Sequence, residues 1–117
     1  MCTAERIVVL AATSERQLVL RRAVIGEAWQ VVAAVGDVDA VIDRLTALRG
    51  KVVVVDDRVD GAGTGEVAVR LRGAAPDVLL VGAGEVAGTD AEVDADGLDR
   101  LPEVLAHLLH ARGDHTH

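Results

Sequence analysis

The feature that most constrains the fold is a regular alternation of short valine-rich runs with amphipathic segments. Residues 6–12, 30–35, 51–56 and 78–83 are the apolar runs. Each is continuously apolar rather than alternating, which is typical of strands covered on both faces in a parallel sheet. The alternation of such strands with helices predicts a three-layer α/β/α domain, a doubly wound parallel sheet with right-handed crossovers.

Helix boundaries are predicted from capping residues and apolar spacing. Ser14 begins the first helix in a capping box completed by Gln17. The predicted inward stripe of that helix holds Leu18, Val24, Ile25 and Ala28, with Arg21 and Arg22 outside. Trp29, the only aromatic residue, is expected to fill the edge of the core.

Three further helices follow from the same signals. The second begins near Asp37 or Asp39 and ends at Gly50, the third begins near Thr64 and ends before Gly73 and Pro76, and the last has Pro102 in its first turn. Their apolar positions are Val41, Leu45 and Leu48, then Val67, Ala68 and Leu71, then Leu101, Val104, Leu105, Leu108 and Leu109.

The stretch from Gly84 to Arg100 is polar and broken by glycine. It predicts a fourth helix that is short or absent and an edge strand around residues 92–95. A chain of 117 residues then makes one domain, residues 1–112, followed by a polar tail, residues 113–117.

Charge excludes one class of partner. The net charge is −7, and seven of the acidic residues fall between positions 85 and 103 against the single base Arg100. Nonspecific affinity for nucleic acid comes from clustered Lys and Arg, so nucleic acid binding is not expected. No apolar run is long enough to span a bilayer, which favours a cytoplasmic protein and no membrane contact. The lone Cys2 predicts no disulfide framework.

The segment KVVVVDDRVDG, residues 51–61, carries the most specific motif. An apolar strand, Asp-x-Arg and an amphipathic helix follow one another there, which resembles the receiver domains of bacterial two-component response regulators. In that alignment Asp56 matches the phospho-accepting aspartate, and Asp60 stands where the family has proline. The resemblance implies a flavodoxin-like sheet of order 2-1-3-4-5.

The resemblance also shows what is missing. Receivers bind Mg²⁺ through an acidic pair after strand one, but Ala11 and Ala12 stand there. Only Asp56, Asp57 and Glu15 are candidate ligands for the metal, so no cofactor is expected. The family's hydroxyl residue after strand four falls on Gly82 or Ala83, and Arg100 is the only base near the position of its lysine.

These departures predict an atypical receiver, a pseudo-receiver that acts by binding protein rather than as an enzyme. The expected partner is a signalling kinase, a regulator or an output protein, and a homodimer is possible. The alternatives are a phosphorylatable stand-alone response regulator with Asp56 as acceptor, and a small nucleotide-binding module using the Gly82-Ala83-Gly84 turn. A metal site at His107 and His110, with Asp114, His115 and His117, is the weakest hypothesis.

Overall fold

Five parallel strands form one sheet at the centre of the molecule. The computed structural model describes residues 5–24, 29–48, 52–94 and 96–114. The strands are β1 (Glu5–Leu10), β2 (Trp29–Val35), β3 (Val52–Asp56), β4 (Leu79–Ala83) and β5 (Ala91–Val93). Their order is β2-β1-β3-β4-β5, and each pairing is parallel. The predicted doubly wound α/β fold and its strand order are therefore confirmed.

The described residues form four α-helices that cover the two faces of this sheet. They are α1 (Ser14–Ala23), α2 (Val38–Leu48), α3 (Glu66–Ala74) and α4 (Leu101–Asp114), and a short 3-10 helix, Leu98–Arg100, precedes α4. Buried residues of α2 and α3 pack on one face, and those of α1 and α4 pack on the other. None of the helices in the described part of the chain combines the length and apolarity that a bilayer crossing requires.

Strand β3 lies in the middle of the sheet and is buried along its whole length. Side chains alternate between the two faces of a strand. Val53 and Val55 belong to the core under α2 and α3, whereas Val52 and Val54 belong to the core under α1 and α4. The same alternation turns Asp56, the last residue of the strand, toward α1.

The cap of α1 differs from the prediction by one residue. Thr13, not Ser14, is the capping residue, and its hydroxyl oxygen accepts a hydrogen bond from the backbone N–H of Arg16 at 3.2 Å. Gln17 does not return to the cap, because its side-chain amide donates to the carbonyl of Ala11 at 3.1 Å. The helix start is thus tied to the end of β1.

The inward stripe of α1 is also different. Leu20 and Val24 are fully buried, but Leu18, which was predicted to face inward, has 48% of its surface exposed. The prediction for Val24 is confirmed, and Ile25 and Ala28 lie outside the described residues. Only the placement of Leu18 was wrong, because Leu20, on roughly the opposite side of the helix, takes the inward position.

The remaining helices follow the sequence signals more closely. Asp37 caps α2 by accepting a hydrogen bond from the N–H of Ala40 at 2.8 Å. Helix α3 begins at Glu66 rather than Thr64, because Gly61 and Gly65 adopt positive φ and prolong the preceding turn. The predicted core positions Val41, Leu45, Val67, Ala68, Leu71, Leu101 and Leu105 are buried, and Val104 and Leu108 are partly buried. Gly73 lies inside α3, which ends at Ala74, and Gly50 lies outside the described residues.

No helix forms between β4 and β5, as predicted, and residues 84–90 make turns that pack on α3. Val86 of this segment is buried in the core, and the N–H of Ala87 donates to the carbonyl of Ala62 at 2.9 Å. The edge strand β5 begins at Ala91, one residue before the predicted start. Trp29 opens β2 and is buried, and its indole N–H donates to the carbonyl of Val24.

Candidate functional site

The candidate site lies at the carboxyl end of β3, where Asp56 is completely buried. Asp56 is also the one buried charged residue among the described residues. It pairs in register with Ala83 of β4, and Ala11, which follows β1, lies in the same core cluster as Ala83. A carboxylate removed from water is unstable unless a hydrogen-bonding cation compensates it.

Arg16 of α1 supplies that compensation. Its Nη2 donates to Oδ1 of Asp56 at 2.9 Å and its Nε donates to Oδ2 at 3.2 Å, so both carboxylate oxygens are bound by one guanidinium group. The Arg16 side chain keeps 20% of its surface exposed. The pKa of Arg16 is raised above its ordinary value, chiefly by this hydrogen bond and then by the charge of Asp56. Two-point pairing of this kind is among the strongest ionic contacts in proteins.

The local structure fixes Arg16 in this position. Arg16 lies in the first turn of α1, directly above the strand ends, because the Thr13 cap and the bond from Gln17 to Ala11 hold the helix start. The N-terminus of a helix carries partial positive charge and disfavours a cation. Arg16 is therefore held there by Asp56 against the preference of its own helix.

Asp57 has a different environment from Asp56. It is only partly buried and lines a cleft of about 500 Å³ with Glu85, Glu92 and Asp94. The pKa of Asp57 is raised by burial first, and then by the charge of Asp56 and a hydrogen bond with it. The side chain packs against Gly84, where a Cβ atom would come within 2.3 Å of the Asp57 Oδ2.

The residues at this site do not fit a magnesium ion. Ala11 and Ala12 offer no side-chain oxygen, and Arg16 occupies both oxygens of Asp56. Glu15 is exposed on α1, where its charge acts on Arg16. Across residues 5–24, 29–48, 52–94 and 96–114, no three His, Cys, Asp or Glu side chains are grouped so as to hold a metal. His107 is exposed on α4, and His115 and His117 lie outside those ranges.

Arg100, the predicted substitute for the family's lysine, lines a neighbouring cleft that Asp57 does not reach. Glu92, Asp94 and Asp99 also line this second cleft, beside the start of α4. The guanidinium group that pairs with Asp56 belongs to Arg16, a residue that the sequence analysis did not select. Arg16 was missed because its pairing spans 40 residues of sequence. The one sequence signal for this pairing was a basic residue in the first turn of a helix, where a cation is disfavoured unless an acid compensates it.

The Gly82-Ala83-Gly84 turn is not built like a dinucleotide site. Such a site needs a helix directly after the turn, so that the helix N-terminus can bind the pyrophosphate. Gly84 has φ of 103°, its N–H donates to the carbonyl of Val93, and the residues that follow form turns. The nucleotide-binding alternative therefore lacks its central element.

Comparison with known proteins identifies the fold. The sequence matches no protein-family model and no curated protein. Solved receiver domains are similar in structure: that of CheB from Thermotoga maritima has a TM-score of 0.67 at 15% identity, covering 93% of this chain and 96% of that one. The non-phosphorylated receiver domain of RcsB from Escherichia coli scores 0.74 at 18% identity, covering 93% and 95%. That of NarL from Mycobacterium tuberculosis scores 0.70 at 19% identity, covering 90% and 95%. The chain has the receiver-domain fold.

Proposed function

We propose that this chain is an atypical receiver domain of bacterial two-component signalling, in which an internal arginine takes the place of the divalent cation. In this proposal Asp56 corresponds to the acceptor aspartate and is held in an ion pair with Arg16. The domain acts in the cytoplasm by binding a protein partner, and magnesium-dependent phosphorylation of Asp56 is impaired or absent.

The observation that carries the proposal is the two-point pairing of Arg16 with a fully buried Asp56. A carboxylate that attacks a phosphoryl group needs a free oxygen and a neighbouring cation that stabilises the transferring group. Arg16 neutralises the Asp56 carboxylate itself and, by hydrogen bonding to both oxygens, makes each of them a weaker nucleophile. Ala11 and Ala12 supply no side-chain oxygen that could recruit a metal in its place.

This chain has no helix between β4 and β5, where receivers have their fourth helix, and this difference supports a changed mode of output. In receivers the fourth helix, fifth strand and last helix form the surface that contacts partners. Here residues 84–90 pack down on α3, and the adjoining cleft is lined by Asp57, Glu85, Glu92, Asp94 and Asp96. Binding that does not require phosphate is the function that this arrangement favours, with a kinase, a regulator or an output protein as partner.

The test is intact-mass measurement after incubation with acetyl phosphate and Mg²⁺. The wild-type chain should gain no phosphoryl group. A chain carrying Arg16→Ala together with Ala12→Asp should gain one slowly, because the acceptor is freed and an exposed metal ligand is restored. Adding Asp56→Asn to that chain should abolish the gain, which shows that the modified residue is Asp56.

Rapid phosphorylation of the wild type, abolished by Asp56→Asn, would refute the proposal and establish the working phosphoacceptor instead. Arg21→Ala is the matched control for Arg16→Ala, since Arg21 is exposed on the same helix. It should leave the wild-type result unchanged.

A further inference from the structure

The solvent-facing side of α1 carries an apolar pair that the described part of the chain leaves partly exposed. Leu18 and Val19 have 48% and 38% of their surfaces exposed. They are two of the three large apolar side chains that stand exposed among the described residues, the third being Val69 on α3. Single exposed apolar residues are ordinary, but an adjacent pair on one helix face is a local patch.

Opposite charges lie at the two ends of this patch. Glu15, Leu18, Val19 and Arg22 follow one another at i, i+3, i+4 and i+7, a spacing that places them on one face of the helix. Glu15 and Arg22 are exposed, and neither forms an ion pair with another residue in the described part of the chain. At 1.5 Å per residue they stand about 10 Å apart along the helix axis.

This pattern is complementary to itself. If a second α1 lies antiparallel across the first, with the twofold axis between positions 18 and 19, Glu15 of one copy meets Arg22 of the other. Leu18 of each copy then meets Val19 of the other. A twofold interface requires one patch that matches its own copy in this way.

We propose that α1 is the contact surface of a weak antiparallel homodimer of this chain. The second copy is favoured over another protein because both ion pairs and the apolar contact are satisfied by the same four residues.

The size of the patch sets the expected affinity. One pair of ten-residue helices buries less than the roughly 1,200 Å² that stable complexes usually bury. Association should therefore be reversible, with a dissociation constant of roughly 10 μM or weaker. The dimer does not depend on the state of Asp56, and this proposal stands apart from the proposed function.

Sedimentation equilibrium at low salt, on the full chain up to roughly 1 mM, tests the dimer in the concentration range expected for so small an interface. The average mass should rise toward that of two chains. Leu18→Ser should keep the chain monomeric, whereas Val69→Ser, an equally conservative change on α3, should not alter the association. Circular dichroism checks that each variant is folded.

Charge exchange provides the decisive comparison. Glu15→Lys alone and Arg22→Glu alone should each weaken association about tenfold, because like charges then face each other twice across the twofold axis. The double variant Glu15→Lys with Arg22→Glu should recover the wild-type affinity. A chain that remains monomeric throughout the range, or a double variant no better than the two single ones, would overturn the proposal.

Discussion

The ion pair between Arg16 and Asp56 can be tested by replacing Arg16 with methionine, which keeps the length of the side chain and removes its charge. Asp56 has no exposed surface, so the variant leaves a carboxylate that neither water nor a cation compensates. Removal of one partner from a buried pair typically costs about 3–5 kcal/mol of unfolding free energy.

The expected cost can be estimated from the geometry. Two unit charges about 4 Å apart attract by about 4 kcal/mol at an effective dielectric constant of 20. Arg16 keeps a fifth of its surface in solvent, which screens part of that attraction. We therefore expect Arg16→Met to lower the unfolding free energy by about 2–4 kcal/mol. The helix itself cannot cause such a loss, because removal of a cation from its first turn is favourable.

Urea unfolding followed by circular dichroism measures this change. With a slope of about 1.5 kcal/mol per molar urea, the midpoint should fall by about 1.3–2.7 M. Arg21→Met is the matched control and should change the midpoint little, since Arg21 is exposed.

A double-mutant cycle with Asp56→Asn separates the pair from other effects. The chain carrying both Arg16→Met and Asp56→Asn should be more stable than Arg16→Met alone, because the uncompensated charge is gone. A cycle in which the two single costs add within about 0.5 kcal/mol would mean that the residues do not interact, and the reasoning about the site would fail.

Two further outcomes are expected at the neighbouring residues. Burial and the charge of Asp56 raise the pKa of Asp57, because the folded state favours the neutral carboxyl group. The stability that this preference gives is complete below the unfolded value of 3.8 and is lost as the pH rises through the raised pKa and Asp57 becomes charged. Asp57→Asn should therefore raise the urea midpoint at neutral pH and not in acid. Gly84→Ala should destabilise the chain by about 2 kcal/mol or more, because φ is 103° and the new Cβ would collide with Asp57. Gly63→Ala, with open space around it, is the control, and equal losses at both glycines would contradict this.

The sheet could be predicted because its signal is local. Each of the apolar runs is continuous, and β3 and β4 are nearly completely buried, as a strand covered on both faces must be. Asp56 could be located for the same reason, since the end of a buried strand is visible in the sequence. The absence of a helix between β4 and β5 could also be predicted from local sequence, because glycine and acidic residues interrupt the segment after β4.

The partner of Asp56 is a nonlocal property. Nothing in residues 51–61 indicates whether a cation lies opposite, and the base nearest to the family's lysine position, Arg100, lies by the acidic cleft instead. The prediction that no metal is held rested on Ala11 and Ala12. The counter-charge of Asp56 was not predicted, because the cation that supplies it comes from a helix 40 residues away in the sequence.

The wrong placement of Leu18 and the oversight of Arg16 have one cause. Arg16, Leu20 and Val24 are spaced four residues apart, so they share one face of the helix, and the burial of Leu20 and Val24 makes it the inward face. An inward stripe that begins at Leu18 places Arg16 on the solvent side of the helix, so no pairing with Asp56 is expected. The correct phase places an arginine over the strand ends, where it requires a buried acid, and Asp56 is the acid on that face. The same rotation exposes Leu18 beside Val19, so the phase that turns Arg16 onto Asp56 also creates the apolar pair of the proposed dimer surface.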